Sequence, residues 1–334
     1  MSDIGEFGLI DALRDSLPAA VIAGPDLRIG IGDDAAVWTP ASGESLVVTT
    51  DSLIEGVHFR LDWTDWESLG WKSLAVNLSD IAAMGASPRL VVLSLGLRGD
   101  DQVADVQAFY RGVGDLALSA GALVAGGDIV AAPRALTIHV TAIGETRGGA
   151  VLRRAGARPG DVIGVSGTIG AAAAGFHLLQ LPRDDPRRQA TTASTLIAAH
   201  LRPEPRLALG SALLAHGATA AMDLSDGLLG DLPKILGASA AGAMVDVNAL
   251  PVAAAVRALF PDQWLEFATR GGEDYELLFT APPTLFDEIV AAGRAIDATV
   301  TAVGEITSDP RLLMRHLDGT VQPVIAGAFD HFAP

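Results

Sequence analysis

The stretch Trp66–Leu97, WESLGWKSLAVNLSDIAAMGASPRLVVLSLGL, changes its period partway along. Up to Gly85, Leu74, Leu78, Ile81 and Ala82 recur at helical intervals, and Ser73, Asn77 and Asp80 share the opposite, polar face. From Arg89 to Leu97 the pattern becomes a short apolar run suited to a strand. A second helix is expected from about Val103 to Ala120, with Val106, Tyr110, Val113 and Ala117 spaced for one face. Strands follow in ALVAGGDIV and ALTIHVTAIGE. Upstream, residues 27–60 read as strands and loops, with the β-branched run of ESLVVTTDSLI feeding a loop. RRAGARPGDVIGVSG, residues 153–167, is a Gly/Pro-rich connector into a new strand. Beyond it come a helix after Asp223 and strands near Met244–Val247 and Tyr275–Phe279. Alternation in both halves predicts an α/β protein of two domains, residues 1–148 and 149–334.

Composition narrows the function. The 334 residues are 49% hydrophobic and 19% charged, ample for a large core. A net charge of −17 argues against nucleic acid or an anionic membrane as partner. With no cysteine, disulfides, thiolate metal sites and cysteine nucleophiles are excluded. MSDIGEFGLI carries acids and no basic segment, so no secretory leader is expected. GVSGTIGAAAAGFHLLQL, residues 164–181, is long and uncharged enough to raise a membrane question, but its small and polar residues favour a packed soluble segment. A cytoplasmic protein is expected. PRDDPRRQ, residues 182–189, reads as a charged surface loop. LSD at 78–80 and 224–226, and GGD at 126–128 echoed by GGED at 271–274, fall at nearly equal offsets and raise an internal repeat, although the flanks differ.

The chemistry lies in carboxylates set among glycines or apolar residues. These are Asp33 and Asp34 in GIGDDAAV, Asp51, Asp80, Asp128, Asp223, Asp226, Glu273 and Asp274. Singly, each fits a turn or a helix cap. Jointly they sit at strand ends and helix starts, where α/β folds place ligands. Converging carboxylates need a counter-charge, and the chain has only two lysines, Lys72 and Lys234. Hard divalent cations are the natural alternative, Mg²⁺ above zinc, and they imply phosphoryl or phosphate-ester chemistry. There is no P-loop, dinucleotide fingerprint, kinase glycine loop or nucleophile elbow. His58 is either a substrate-phosphate contact or a packing residue, and His139 alternates as a structural strand residue. Arg153 and Arg154 are either phosphate contacts or an exposed pair. Asp33 is left with two roles, metal through a bridging water or the turn itself.

Together GEFGLI, GIGDDAAV, TTDSLIEGVHF, KSLAVNLSDIAAMGASP, GGD, LRRAGARPGD, HLRPEPRLALG, AMDLSDGL, GGEDYELLF and FDHF, in this order from Gly5 to Phe332, resemble the thiamine-monophosphate kinase family. That family belongs to a superfamily with aminoimidazole ribonucleotide synthetase and selenophosphate synthetase. The resemblance implies an N-terminal α/β domain that dimerises through its sheet, and a C-terminal α/β domain completing the active site. It implies phosphorylation of thiamine monophosphate by ATP, by direct in-line transfer without a protein nucleophile. It places several Mg²⁺ ions on Asp34, Thr49, Thr50, Asp51, Asp80, Asp128, Asp223 and Asp226. ATP would meet Tyr110, Gly127, Asp128, Arg154 and Ser225, and the substrate His58, Glu273 and Phe329. Two positions depart from the family pattern: Ile129 replaces the usual Thr after GGD, and Ala328 replaces the glycine before Phe329. The absence of cysteine separates the chain from selenophosphate synthetases and hydrogenase-maturation relatives. Aminoimidazole ribonucleotide synthetase, or a non-catalytic nucleotide- or cation-binding protein, are the rival readings. ATP turnover that requires both Mg²⁺ and thiamine monophosphate separates all three.

Overall fold

A computed structural model of the chain describes residues 27–29, 33–34, 36–39 and 45–324. The first half supplies strands β1 (Leu27–Ile29), β2 (Ala36–Trp38) and β3 (Ser45–Ile54), helix α1 (Trp66–Ala83), β4 (Ser87–Leu97), α2 (Val103–Ala120), β5 (Leu123–Ala131) and β6 (Thr137–Thr146). Its six strands form one sheet in the order β1-β2-β3-β6-β4-β5. All neighbours are antiparallel except β4 and β5. The second half supplies β7 (Val162–Ser166), α3 (Ala171–Gln180), α4 (Ala193–Leu201), α5 (Leu207–Ala215), β8 (Ala220–Asp223) and α6 (Leu228–Ser239). After them come β9 (Gly242–Asp246), β10 (Leu277–Ala281), α7 (Pro283–Arg294), β11 (Val300–Thr307), β12 (Leu312–Arg315) and β13 (Val321–Pro323). These strands make a seven-stranded sheet in the order β13-β12-β9-β11-β7-β10-β8. The fold is therefore the two-part α/β arrangement that the alternation predicts.

Helix α1 starts where Asp65 accepts a hydrogen bond from Ser68 N at 2.7 Å, a side-chain N-cap. Leu74, Leu78 and Ile81 are fully buried against the first sheet, as the spacing requires. The opposite face is the surprise: Lys72, Ser73, Asn77 and Ser79 are buried too. The second half covers them, with α5 and β8 packed on α1. The α1–α5 approach is so close that a Cβ on Gly210 would stand 2.0 Å from the Ala82 carbonyl oxygen. A polar helix face that reads as solvated in isolation is here an internal wall shared by both halves.

Helix α2 keeps the residues its spacing predicts, with Val113 and Ala117 buried, and ends at Gly121 in the left-handed conformation. Strand β5 occupies the sheet edge and is exposed along its whole length. The strand expected at Tyr275–Phe279 begins two residues later. Glu273 and Tyr275 adopt φ of +69° and +50°, which no strand accommodates. The strand expected to reach Val247 stops at Asp246, whose side chain accepts from Asn248 N at 2.9 Å and opens a short 3₁₀ turn. The 182–189 segment is not all loop: Asp185 caps a one-turn helix, Pro186–Gln189. Residues 164–181 divide between β7 and the ten-residue α3, and among the described residues no helix is long and apolar enough to cross a membrane. The suspected repeat dissolves, because Leu78–Asp80 is helical whereas Leu224–Asp226 is a loop after β8.

Replacing Gly210 with Ala is expected to force α5 off α1 and cost about 1–3 kcal/mol of stability. The shift is read as a lower denaturant midpoint; an unchanged midpoint would show that the two helices separate freely.

Candidate active site

Strand β3 runs beneath α1 and alternates. Thr49 faces the covered side of the sheet with Val47 and Leu53, and Asp51 shares its direction. Thr50 faces the opposite side, where its Oγ1 donates to the Val140 carbonyl at 3.0 Å and accepts from Thr141 Oγ1. Across the covered side, α1 presents Asp80, whose Oδ2 accepts from Thr49 Oγ1. One residue earlier, Ser79 Oγ donates to Asp223 Oδ2 at 2.7 Å, fixing the end of β8 against the same helix. Asp34 arrives from the loop between β1 and β2. One carboxylate oxygen from each of Asp34, Asp80 and Asp223 then lies within 4.8 Å of the others.

Buried like charges at this range cannot all stay ionised without compensation. Burial, then Asp223, Asp51 and Asp34, holds the Asp80 carboxyl well above the usual range. Burial, then Asp34, does the same to Asp223. Asp51 is pushed up to about 6 by burial and then by Asp34. Arg154 is the counter-charge in place. Its Nη2 donates to Asp34 Oδ1 and its Nε lies 3.8 Å from Asp33 Oδ1. Asp33 Oδ1 also accepts from Asp34 N at 3.0 Å, so this carboxylate holds its own turn. Arg153 is exposed, and its carbonyl accepts from Ala221 N. Asp34 Oδ2 is buried with no hydrogen-bond partner among the described residues. An oxygen-only donor set with one orphaned, buried carboxylate oxygen suits a hard divalent cation.

A second carboxylate stands apart from the cluster. The loop Gly271–Glu276 lies on the loop after β8, with Glu273 N donating to Ser225 O at 2.8 Å and Tyr275 N to Leu224 O at 2.9 Å. A Cβ on Gly272 would stand 2.4 Å from Ser225 O, so only glycine permits this approach. Glu273 Oε1 lies 3.0 Å from Lys72 Nζ, and its Oε2 lies 3.0 Å from His200 Nδ1. Burial alone would raise Glu273, but Lys72 and then His200 outweigh it and bring the carboxyl down to about 2. Neighbouring Asp274 turns the other way and accepts from Gly170 N and Ala172 N at the start of α3. Tyr275 is buried within electrostatic reach of Glu273, Asp51, Asp223 and Asp80, so the two carboxylate groups border one region.

Of the residues singled out in the sequence, Asp34, Thr49, Asp51, Asp80, Asp223 and Arg154 come together. Asp226 is held nearby by Lys234 Nζ at 2.7 Å, and Ser225 adjoins the Glu273 loop. His58 Nδ1 accepts from Ile54 N at 3.1 Å, which leaves its proton on Nε2. Thr50, Gly127 and Asp128 do not join the cluster within one chain. Asp128 is in register with Ser94, His139 and Ser52 across β4, β6 and β3. It thus stands about 14 Å from β3, three strand spacings away, and on the face opposite Asp51. On that same open face His139 Nδ1 meets Ser52 Oγ at 2.6 Å. Tyr110 packs on the first core beside Phe109. Phe329 and Ala328 lie outside the described residues. Lys72 and His200 were not singled out as site residues. Both open stretches that resemble the family, Lys72 in KSLAVNLSDIAAMGASP and His200 in HLRPEPRLALG, and Lys72 is also one of only two lysines in the chain, but neither was given a role.

Residues 32–146 match the model of the AIR synthase related protein N-terminal domain, and residues 158–316 match that of the C-terminal domain. The chain is 39% identical over 332 residues to thiamine-monophosphate kinase of Escherichia coli K12, covering 98% of each. It is similar to the solved structure of AaThiL complexed with AMPPCP and TMP, with a TM-score of 0.85, 31% identity and coverage of 99% and 98%. It is also similar to thiamine-monophosphate kinase from Stenotrophomonas maltophilia K279a, with a TM-score of 0.74, 42% identity and coverage of 91% and 94%.

An acid whose folded pKa is raised binds its proton more tightly when folded. Its stabilisation is complete below about pH 4 and is lost as pH rises through the folded value. For metal-free protein, Tm is therefore expected to fall as pH rises from about 4 through the Asp51 value of about 6, with the raised carboxyls of Asp80 and Asp223 adding to the fall. The Tm gain on adding Mg²⁺ should be larger at pH 7 than at pH 5. A gain independent of pH would count against the cluster as the cation site.

Proposed function

This chain belongs to the thiamine-monophosphate kinase family of AIR synthase related proteins, and from that premise we propose that it transfers the γ-phosphoryl group of ATP to thiamine monophosphate. The observation that carries the reading is the convergence of Asp34, Asp80 and Asp223 around an orphaned carboxylate oxygen, beside a second, separately ionised carboxylate. The first group suits a metal-bound triphosphate and the second a cationic substrate. The attacking oxygen of the substrate phosphate is already anionic, so no protein nucleophile or general base is required.

Mg²⁺ ions held by Asp34, Asp80 and Asp223, with Asp51 and Thr49 beside them, would neutralise the phosphates and polarise the transferred group. Burial of the carboxylates in one rigid wall keeps their oxygens preorganised, so little reorganisation accompanies charge transfer. Arg154 already bridges toward Asp33 and Asp34 and supplies a fixed positive charge at the rim for phosphate oxygens. Ser225 is held by the Glu273 loop at the edge of the same region. His58, protonated on Nε2, offers a donor to a substrate phosphate. Catalysis is then positioning and charge neutralisation.

We also propose a homodimer. The exposed β5 carries Leu123, Ile129 and Val130 on a sheet edge, a surface that soluble proteins ordinarily cover. Ile129, where the family often has Thr, adds to that apolar surface. Thr50, Gly127 and Asp128 lie on or beside the open face of this sheet, so a second copy packed there would bring them against a nucleotide. No nucleic acid or membrane partner is proposed, and we place the reaction in the cytoplasm, where ATP is supplied.

Asp34→Asn and Asp80→Asn are each expected to lose turnover by about 100-fold or more. Because Asp80→Asn removes one of several repelling charges, its metal-free Tm at pH 7 should match or exceed that of the parent. Near-parental turnover at saturating Mg²⁺ would sink the metal assignment. His58→Ala should raise KM for thiamine monophosphate with little change in kcat, and an unchanged KM would return His58 to a packing role. Identifying the product formed from ATP, Mg²⁺ and a panel of phosphorylated acceptors tests the activity itself.

A further inference from the structure

Lys72 is 3% exposed, yet no metal or phosphate assignment requires it. Burying an ammonium is costly, and an apolar side chain of similar volume would fill the α1 face at less cost. What Lys72 does touch is Glu273 at 3.0 Å and, at 3.5 Å, His200 Nε2. An ammonium only donates, so His200 Nε2 is the acceptor and the imidazole proton sits on Nδ1, 3.0 Å from Glu273 Oε2. Each oxygen of Glu273 therefore has a nitrogen 3.0 Å away on a different element, Lys72 Nζ on α1 and His200 Nδ1 on α4, the latter in close contact without hydrogen-bond geometry. The carboxylate still keeps 30% of its side-chain surface open. From His200 a row of rings continues outward. Phe176 lies 5.2 Å from the imidazole, Trp63 lies 5.6 Å from Phe176, and Phe176 is 39% exposed.

We propose that Lys72 and His200 are positioning residues that hold the partly exposed Glu273 carboxylate in place, where it receives the amino-bearing, cationic ring system of thiamine monophosphate beside the His200–Phe176–Trp63 row. This rests on the substrate role of Glu273 proposed above. An ionised carboxylate accepts but cannot donate, so it selects ligands that carry an N–H group or a ring cation. Flat rings along its flank favour an aromatic ligand. His200 is held neutral by burial and then by Lys72, so it adds a single N–H without a competing charge. Of the other titratable groups of the same loop, Tyr275 is held well above its ordinary range by burial and then by Glu273 and stays protonated, Asp274 is pushed up to about 7 by burial but faces Gly170 N and Ala172 N, and Glu276 pairs with Arg206. The strained φ of +69° at Glu273 fits a side chain whose direction is set by its partners rather than by backbone preference.

The test is steady-state kinetics on the full-length protein carrying Lys72→Met, Glu273→Gln, both together, or Lys72→Arg. Lys72→Met is expected to raise KM for thiamine monophosphate at least tenfold and to leave KM for ATP within about twofold. The KM ratio of Lys72→Met to parent should narrow as pH rises from 6 to 9, because loss of the ammonium leaves burial to raise the Glu273 carboxyl. Lys72→Arg should keep that ratio flat. In the Glu273→Gln background, adding Lys72→Met should change KM by less than about twofold, since Lys72 acts through Glu273. The double variant removes both buried charges at once, so it keeps the comparison available if Lys72→Met alone does not fold. An additional tenfold loss in the double variant over Glu273→Gln would overturn the positioning role, as would an unchanged KM in Lys72→Met. If Glu273→Gln itself leaves KM for thiamine monophosphate unchanged, the substrate role of Glu273 falls, and the proposal with it.

Discussion

Mutual repulsion among Asp34, Asp51, Asp80 and Asp223 is the constraint around which the rest of the site is arranged. The carboxylates come from a loop, a strand, a helix and a strand end in both halves of the chain. Nothing about their charges favours assembly. They are brought together by apolar packing: Leu74, Leu78 and Ile81 seat α1 on the first sheet, and α5 and β8 close on its far side. Hydrogen bonds from Thr49 and Ser79 then fix the direction of two of the carboxylates. Hydrophobic burial thus sustains an electrostatically unfavourable arrangement, the pattern of strongly perturbed carboxylates that marks a functional site rather than a merely stable one.

The second carboxylate obeys the opposite logic. Glu273 is compensated within the protein by Lys72 and has a depressed pKa, whereas Asp80 and Asp223 have raised ones. Two carboxylate environments stand within one region, one compensated only at its edge by Arg154 and one supplied with a buried ammonium, and the proposed function uses that difference to separate a metal-bound phosphate from an organic cation. The chain spends one of its two lysines on this division.

Much of the fold was legible because its signals are local. The α1 and α2 spacings, the strand at Arg89–Leu97 and the connector at 153–167 depend on neighbouring residues only, and they lie where expected. The burial of the polar face of α1 was not legible for a physical reason: amphipathicity measures a helix against water, and here the second half of the chain replaces water. The carboxylate cluster was legible as a set, since acids in glycine-rich or apolar settings lack another purpose. Which acids share one pocket was not. Asp51 and Thr50 are adjacent in sequence but point to opposite faces of a sheet, and Asp128 is separated from them by two intervening strands. The role of His200 was hidden for the same reason, because its partners are Lys72, 128 residues upstream, and Glu273 in a distant loop.

Helix α1 bears Lys72 two turns before Ser79 and Asp80. Eight residues of α-helix advance about 12 Å, and the backbone hydrogen bonds along that span do not stretch. The helix is therefore a ruler: one mark is tied to the Glu273 carboxylate through Lys72, the other to the aspartate cluster through Ser79 and Asp80. A single-residue insertion or deletion between the marks would swing one of them by about 100° around the axis, so the length of this segment is frozen even where its side chains are free to vary.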